Sequence, residues 1–215
     1  AKYVDDLPSP QGTLHAAFVL SEKPHARLVS VDIAAAKAAP GVVAIFTGAD
    51  LSEEENAIGP IFPDEQLFRT GSVTSTGQPI ALVVASSIEQ AERAVRLVKV
   101  EYEELGAVLT IDDAIRAESY KLPHHSLEDG DVDAAFALED TVVVEGELRI
   151  GAQDHFYLET NCALVEPGEG DELTIYASTQ NPMKTQKFAA HVCGIPFNKV
   201  TCRMKRMGGG FGGKE

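Results

Sequence analysis

The run Met207-Gly208-Gly209-Gly210-Phe211-Gly212-Gly213-Lys214-Glu215 restricts this chain more than any other stretch. Five glycines around one Phe exclude a stable helix or strand interior, because each Gly brings backbone entropy that folding must remove. Such a loop instead brings bare backbone N–H groups close to a ligand, an anionic one above all. It follows Lys199-Val200-Thr201-Cys202-Arg203-Met204, which alternates as a strand does. The local order is therefore strand, then glycine loop.

Two ligand-binding patterns fit the loop. Gly208, Gly210 and Gly213 satisfy the dinucleotide fingerprint, which needs a following helix and a downstream acidic residue. Gly208 with Gly213-Lys214 satisfies most of a nucleotide P-loop, although Glu215 stands where a Ser or Thr hydroxyl should hold magnesium. A plain tight turn is the third reading, and spacing alone leaves all three open.

A net charge of -15 over 215 residues argues against a basic face for nucleic acid or an anionic membrane. An anionic ligand then needs a local site, such as backbone amides. No apolar run approaches a membrane span, and nothing near Ala1 resembles a signal peptide. Beginning at Ala1 and ending inside a motif, the chain reads as a piece of something longer. Cys162, Cys193 and Cys202 lack a Cys-x-x-Cys spacing and read as reduced, buried thiols of a cytosolic protein.

Strands are predicted over 14–20, 26–31, 42–46 and 79–85, the 42–46 run with the continuous apolar pattern of a strand buried on both faces. Short helices are predicted at 33–39 and from Ser86-Ser87-Ile88-Glu89, which has capping-box spacing, with a further strand over 98–102. A long irregular loop is expected from Ser52 to about Gly77. Thr110 to Ile115 reads as a capped helix, and 118–140 as a polar linker. His124 and His125 in that linker point different ways and read as exposed and non-ligating. Strands are then expected over 142–150, 156–165 and 172–177. Asn181 as N-cap and Pro182 at the first position open a helix that ends at Gly194. Gln180, just before it, reads from spacing as a junction amide bonded to nearby backbone.

The glycine loop closely resembles that of the xanthine dehydrogenase family, the molybdenum hydroxylases. Two further segments match in order: Gly151-Ala152-Gln153-Asp154-His155-Phe156-Tyr157-Leu158-Glu159-Thr160, and Ser178-Thr179-Gln180-Asn181-Pro182. The resemblance implies an α+β chain: an α/β hammerhead domain over 1–117, a linker over 118–140, and the incomplete start of a mixed α/β molybdopterin-binding domain over 141–215. It implies purine oxidation, from hypoxanthine to xanthine to urate, in a cytoplasmic homodimer. Gln180 matches the glutamine that approaches the oxo ligand of molybdenum, and is implied as catalytic and cofactor-binding. Gly210, Phe211 and Gly212 match the loop beside the metal and its pterin. Gln180 and Phe211 are thus implied to lie near molybdenum without ligating it. Glu215 matches the glutamate that binds the purine ring.

Gln153, Asp154, His155 and Glu159 are left as supporting residues. The resemblance also implies two [2Fe-2S] clusters and FAD in the complete enzyme, none bound by this segment, and either NAD or oxygen as electron acceptor. The general base is expected beyond residue 215. An aldehyde oxidase of the same family, a nucleotide-binding protein using the loop, and an acidic adaptor module stand as alternatives. The adaptor explains neither the loop nor Gln180.

Overall fold

The structure, a computed structural model, describes residues 2–59 and 61–215. In chain order its strands and helices are β1 (His15–Leu20), β2 (Ala26–Asp32), α1 (Ala34–Lys37), β3 (Val42–Thr47), α2 (Glu53–Asn56), β4 (Ala57–Ile58), β5 (Glu65–Gln66), β6 (Ser72–Val73), β7 (Pro79–Ala85), α3 (Ile88–Val95) and β8 (Lys99–Glu104). There follow α4 (Ile111–Arg116), α5 (Val132–Phe136), β9 (Ala163–Pro167), β10 (Leu173–Ala177), α6 (Pro182–Val192) and β11 (Val200–Arg203). The class is α+β, with small sheets and short helices. Residues Ala1–Ala107 and His155–Glu215 form one compact unit, and Val108–Asp154 another.

In the first unit, β7 lies between β1 and β3, antiparallel to both, and β2 lies between β6 and β8. Val19, Ala26, Ala36, Val73, Ile80, Ala81, Val83 and Ala94 close the core between these sheets. Ser87 caps α3 by accepting from the Gln90 N–H at 3.3 Å, one residue later than the capping-box spacing places it. The run at 42–46 is not buried on both faces. As the edge strand β3 it leaves Val43 and Phe46 exposed, whereas the central β7 carries the buried positions. The stretch from Ser52 to Gly77 is also more ordered than a surface loop. Buried Asn56 clamps Phe68 through its backbone, donating to the carbonyl at 2.9 Å and accepting from the N–H at 2.8 Å.

In the other part of this unit, β10 pairs antiparallel with β9 and parallel with β11, and α6 makes the crossover between the parallel pair. Asn181 caps α6 by accepting from the Lys184 N–H at 3.1 Å, Pro182 stands at the first position, and Gly194 (φ +63°) ends it. Ile175, Ala177, Ala190 and Val200 form the small core beneath that helix. Parallel neighbours end on the same side of a sheet, and ligands of such sheets gather there. Gln180, after β10, and the glycine loop, after β11, therefore emerge together.

The strands expected over 142–150 and 156–162 do not form. Val142 and Val144 are 87% and 88% exposed, with no pairing strand among the described residues, and an alternating pattern without a ladder partner leaves its backbone to solvent. Phe156 has φ +43° and is exposed, so pairing begins only at Ala163. His124 and His125 are exposed. Cys162 and Cys202 are half-buried and Cys193 is exposed, so the expectation of three buried thiols fails at Cys193 and is met only in part at the other two.

Candidate functional site

Gln180 joins the two strand ends. Its backbone N–H donates to the Lys214 carbonyl at 2.7 Å. Its side-chain Oε1 accepts from the Gly212 N–H at 2.8 Å and the Lys214 N–H at 3.3 Å. Two donors on one oxygen define which end of the amide is which. The Nε2 end is left with no protein partner among the described residues, and it is a neutral double donor. The junction-amide reading from spacing is met at the Oε1 end and the backbone N–H.

The loop closes tightly on Gln180. A Cβ at Gly210 would lie 2.6 Å from Gln180 Cδ, a distance no side chain tolerates while Oε1 holds its two bonds. A Cβ at Gly208 would meet the Cβ of Glu159 at 2.6 Å. Among the loop amides, Gly208, Gly212, Gly213 and Lys214 donate within the protein. Those of Gly209, Gly210 and Phe211 have no acceptor among the described residues. The Gly212 N–H is therefore spent on Gln180, and the amides without an acceptor lie one step earlier, that of Gly210 within a buried residue.

Phe211 does not anchor the loop in the core. It is 74% exposed at φ +50°, a backbone region costly for a bulky residue. The anchors are charged. Lys214 Nζ donates to the Glu159 carbonyl and to Ser178 Oγ, lies 3.8 Å from Glu159 Oε2, and sits 4.4 Å above the Tyr157 ring. Glu159 accepts from the Gly208 N–H at 2.8 Å on Oε2 and from the Val4 N–H at 3.1 Å on Oε1.

Burial alone would raise the Glu159 carboxyl, but the Gly208 and Val4 N–H bonds, with Ser178 and the Lys214 charge, outweigh it and hold the group below its ordinary 4.5. The stability it contributes is complete above that ordinary value and is lost as pH falls through the lower folded one. Nearby, burial and the Asp5 carboxylate push the Cys162 thiol up to about 12, so it is not a reactive thiolate.

Lys214 is thereby committed inward, with no ammonium left for a phosphate, and residues 211–214 of the loop form a turn. The P-loop pattern loses its phosphate-binding lysine. Glu215 is exposed, its Oε2 accepting from Lys184 Nζ at 3.2 Å. His155 stacks on Tyr157 with centroids 5.9 Å apart. Among the described residues no group of three or more His, Cys, Asp or Glu side chains is placed to hold a metal ion. No helix among the described residues is long and apolar enough to cross a membrane.

The glycine loop is thus folded over the glutamine that follows β10. Residues 1–106 match the family model of the aldehyde oxidase and xanthine dehydrogenase a/b hammerhead domain, and 116–215 that of the molybdopterin cofactor-binding domain. Xanthine dehydrogenase 1 of Arabidopsis thaliana is 50% identical over the whole chain, and xanthine dehydrogenase/oxidase of Rattus norvegicus 46%. The chain spans 16% of the length of each. Among solved structures, quinoline 2-oxidoreductase from Pseudomonas putida 86 aligns with TM-score 0.84 at 32% identity, over 99% of this chain and 29% of that one. Aldehyde oxidoreductase from Desulfovibrio gigas aligns with TM-score 0.83 at 27% identity, over 99% and 26%. The chain belongs to the aldehyde oxidase and xanthine dehydrogenase family and corresponds to a segment of those much longer relatives.

Proposed function

We propose that this segment forms one wall of the molybdenum–molybdopterin and substrate site of a purine-oxidising hydroxylase. The observation that carries the reading is the glycine loop folded onto Gln180, whose Oε1 takes the Gly212 and Lys214 N–H groups while Nε2 and the Gly209, Gly210 and Phe211 N–H groups have no partner among the described residues. That donor set suits an oxygen-rich, anionic cofactor held without protein side chains on the metal. Gly210, Phe211 and Gly212 would lie along the cofactor, and Gln180 and Phe211 near its metal. When bound, the molybdenum–pterin group supplies the two-electron oxidation chemistry.

This chain's own residues orient and exclude. Gln180 presents a fixed neutral donor, and exposed Phe211 covers the approach beside it. Glu215 keeps Oε1 for a purine N–H while Lys184 holds Oε2. The proposed division remains a hammerhead domain over 1–117, a linker over 118–140 and a molybdopterin-binding portion over 141–215. Two [2Fe-2S] clusters, FAD, the general base and contacts to NAD or oxygen belong to other parts of the polypeptide, which works as a cytoplasmic homodimer.

The test is steady-state oxidation of hypoxanthine and xanthine against an aromatic aldehyde by the complete, cofactor-loaded polypeptide. A higher kcat/KM for the purines is expected. Preference for the aldehyde would move the reading to an aldehyde oxidase.

A further inference from the structure

The glycine loop is held at its entry and its exit by one buried ion pair, and we propose that Glu159 and Lys214 are positioning residues that set the loop's place against Gln180. This deepens the proposed function, since it rests on the loop being one wall of the cofactor site. The Glu159 carboxylate takes the Gly208 N–H at the loop entry, and its backbone N–H donates back to the Gly208 carbonyl at 3.2 Å. Lys214 at the exit reaches under the loop to the Glu159 carbonyl and Ser178 Oγ. The two side chains are 1% and 0% exposed, so neither ion is solvated by anything but these contacts.

Between those fixed ends lie the Gly209, Gly210 and Phe211 N–H groups, and the two N–H groups that fix Gln180 Oε1 sit two residues before Lys214 and at Lys214 itself. A shift of Lys214 therefore moves the Gly212 and Lys214 amides, and with them the direction of Gln180 Nε2. The second oxygen of Glu159 extends the brace to Val4, 155 residues away in sequence.

A buried pair makes a sharp test, because removing one ion strands the other, while removing both is often tolerated. In the complete enzyme, Lys214→Met and Glu159→Gln singly should each lower the unfolding midpoint, and the double variant should recover most of it. If the pair positions the loop, the double variant should still exchange the Gly212 and Lys214 amide hydrogens at least about tenfold faster than wild type, in cofactor-free protein as well as loaded. Its kcat should stay at about a tenth of wild type or less with KM little changed, since misplacement of about 1 Å can cost more than that. Ser178→Ala, which removes one lysine contact and no charge, should give a smaller increase in the same exchange and keeps the test open should the charge variants not fold. A double variant with wild-type loop exchange, or Ser178→Ala with none of the increase, would overturn the proposal. Absence of molybdopterin from the wild type would instead overturn the function and leave the exchange result standing.

Discussion

Replacing Gln180 by Ala in the complete enzyme is expected to lower kcat by about 100-fold while leaving KM within a fewfold of wild type. Two losses combine. The Nε2 donor disappears, and a preorganised donor matters most where charge changes during reaction, so the cost falls on the transition state. The Gly212 and Lys214 N–H groups also lose their shared acceptor, which loosens the loop that carries the remaining donors. Gln180→Glu separates the two effects, because a carboxylate still accepts both loop N–H groups but offers no donor. It should keep the loop and lose the rate. A rise in KM with kcat unchanged in either variant would mean that Gln180 contacts the substrate instead.

Glu215→Val is expected to lower kcat/KM for purines by roughly ten- to a hundredfold, the value of a hydrogen bond to a charged group at about 1.5–3 kcal/mol. Aldehyde oxidation should be spared or improved, because an aldehyde offers no N–H edge to a carboxylate. Stability should hardly change. The Lys184 partner is 3.2 Å away in a half-exposed pair, and such pairs contribute about 0–1 kcal/mol. The readout is the ratio of the two specificity constants in wild type and variant. If that ratio fails to move towards aldehydes, Glu215 is not the purine contact.

The parts of this site that local chemistry specifies were legible in the sequence. The glycine loop announces itself by composition, and Asn181-Pro182 marks the helix start that places Gln180. What escaped was set by partners far away in the chain. Glu159 and Lys214 read as one supporting carboxylate and one P-loop lysine, because no spacing rule links charges that meet only through the fold. A Glu beside Phe156-Tyr157-Leu158 and a Lys closing a glycine run carry a weak signal of pairing, yet nothing local says that each is the other's counterion.

Sheet position was equally opaque. The apolar run of β3 reads like a central strand, but neighbours decide which strand lies at the edge, and β7 took the centre. The alternation of Val142, Val144, Leu148 and Ile150 states a preference for pairing without supplying a partner.

The central claim, that Gln180 and the glycine loop build one wall of a molybdopterin site, is tested most directly by the molybdenum and pterin content of the purified complete polypeptide, wild type beside Gly210→Val. In wild type about one molybdenum and one pterin per chain should survive gel filtration. In Gly210→Val both should fall severalfold while the fold is retained, because the added carbon atoms enter space that Gln180 occupies 2.6 Å away. Wild-type protein without molybdenum or pterin, or a folded Gly210→Val that keeps its full complement of both, would contradict the account.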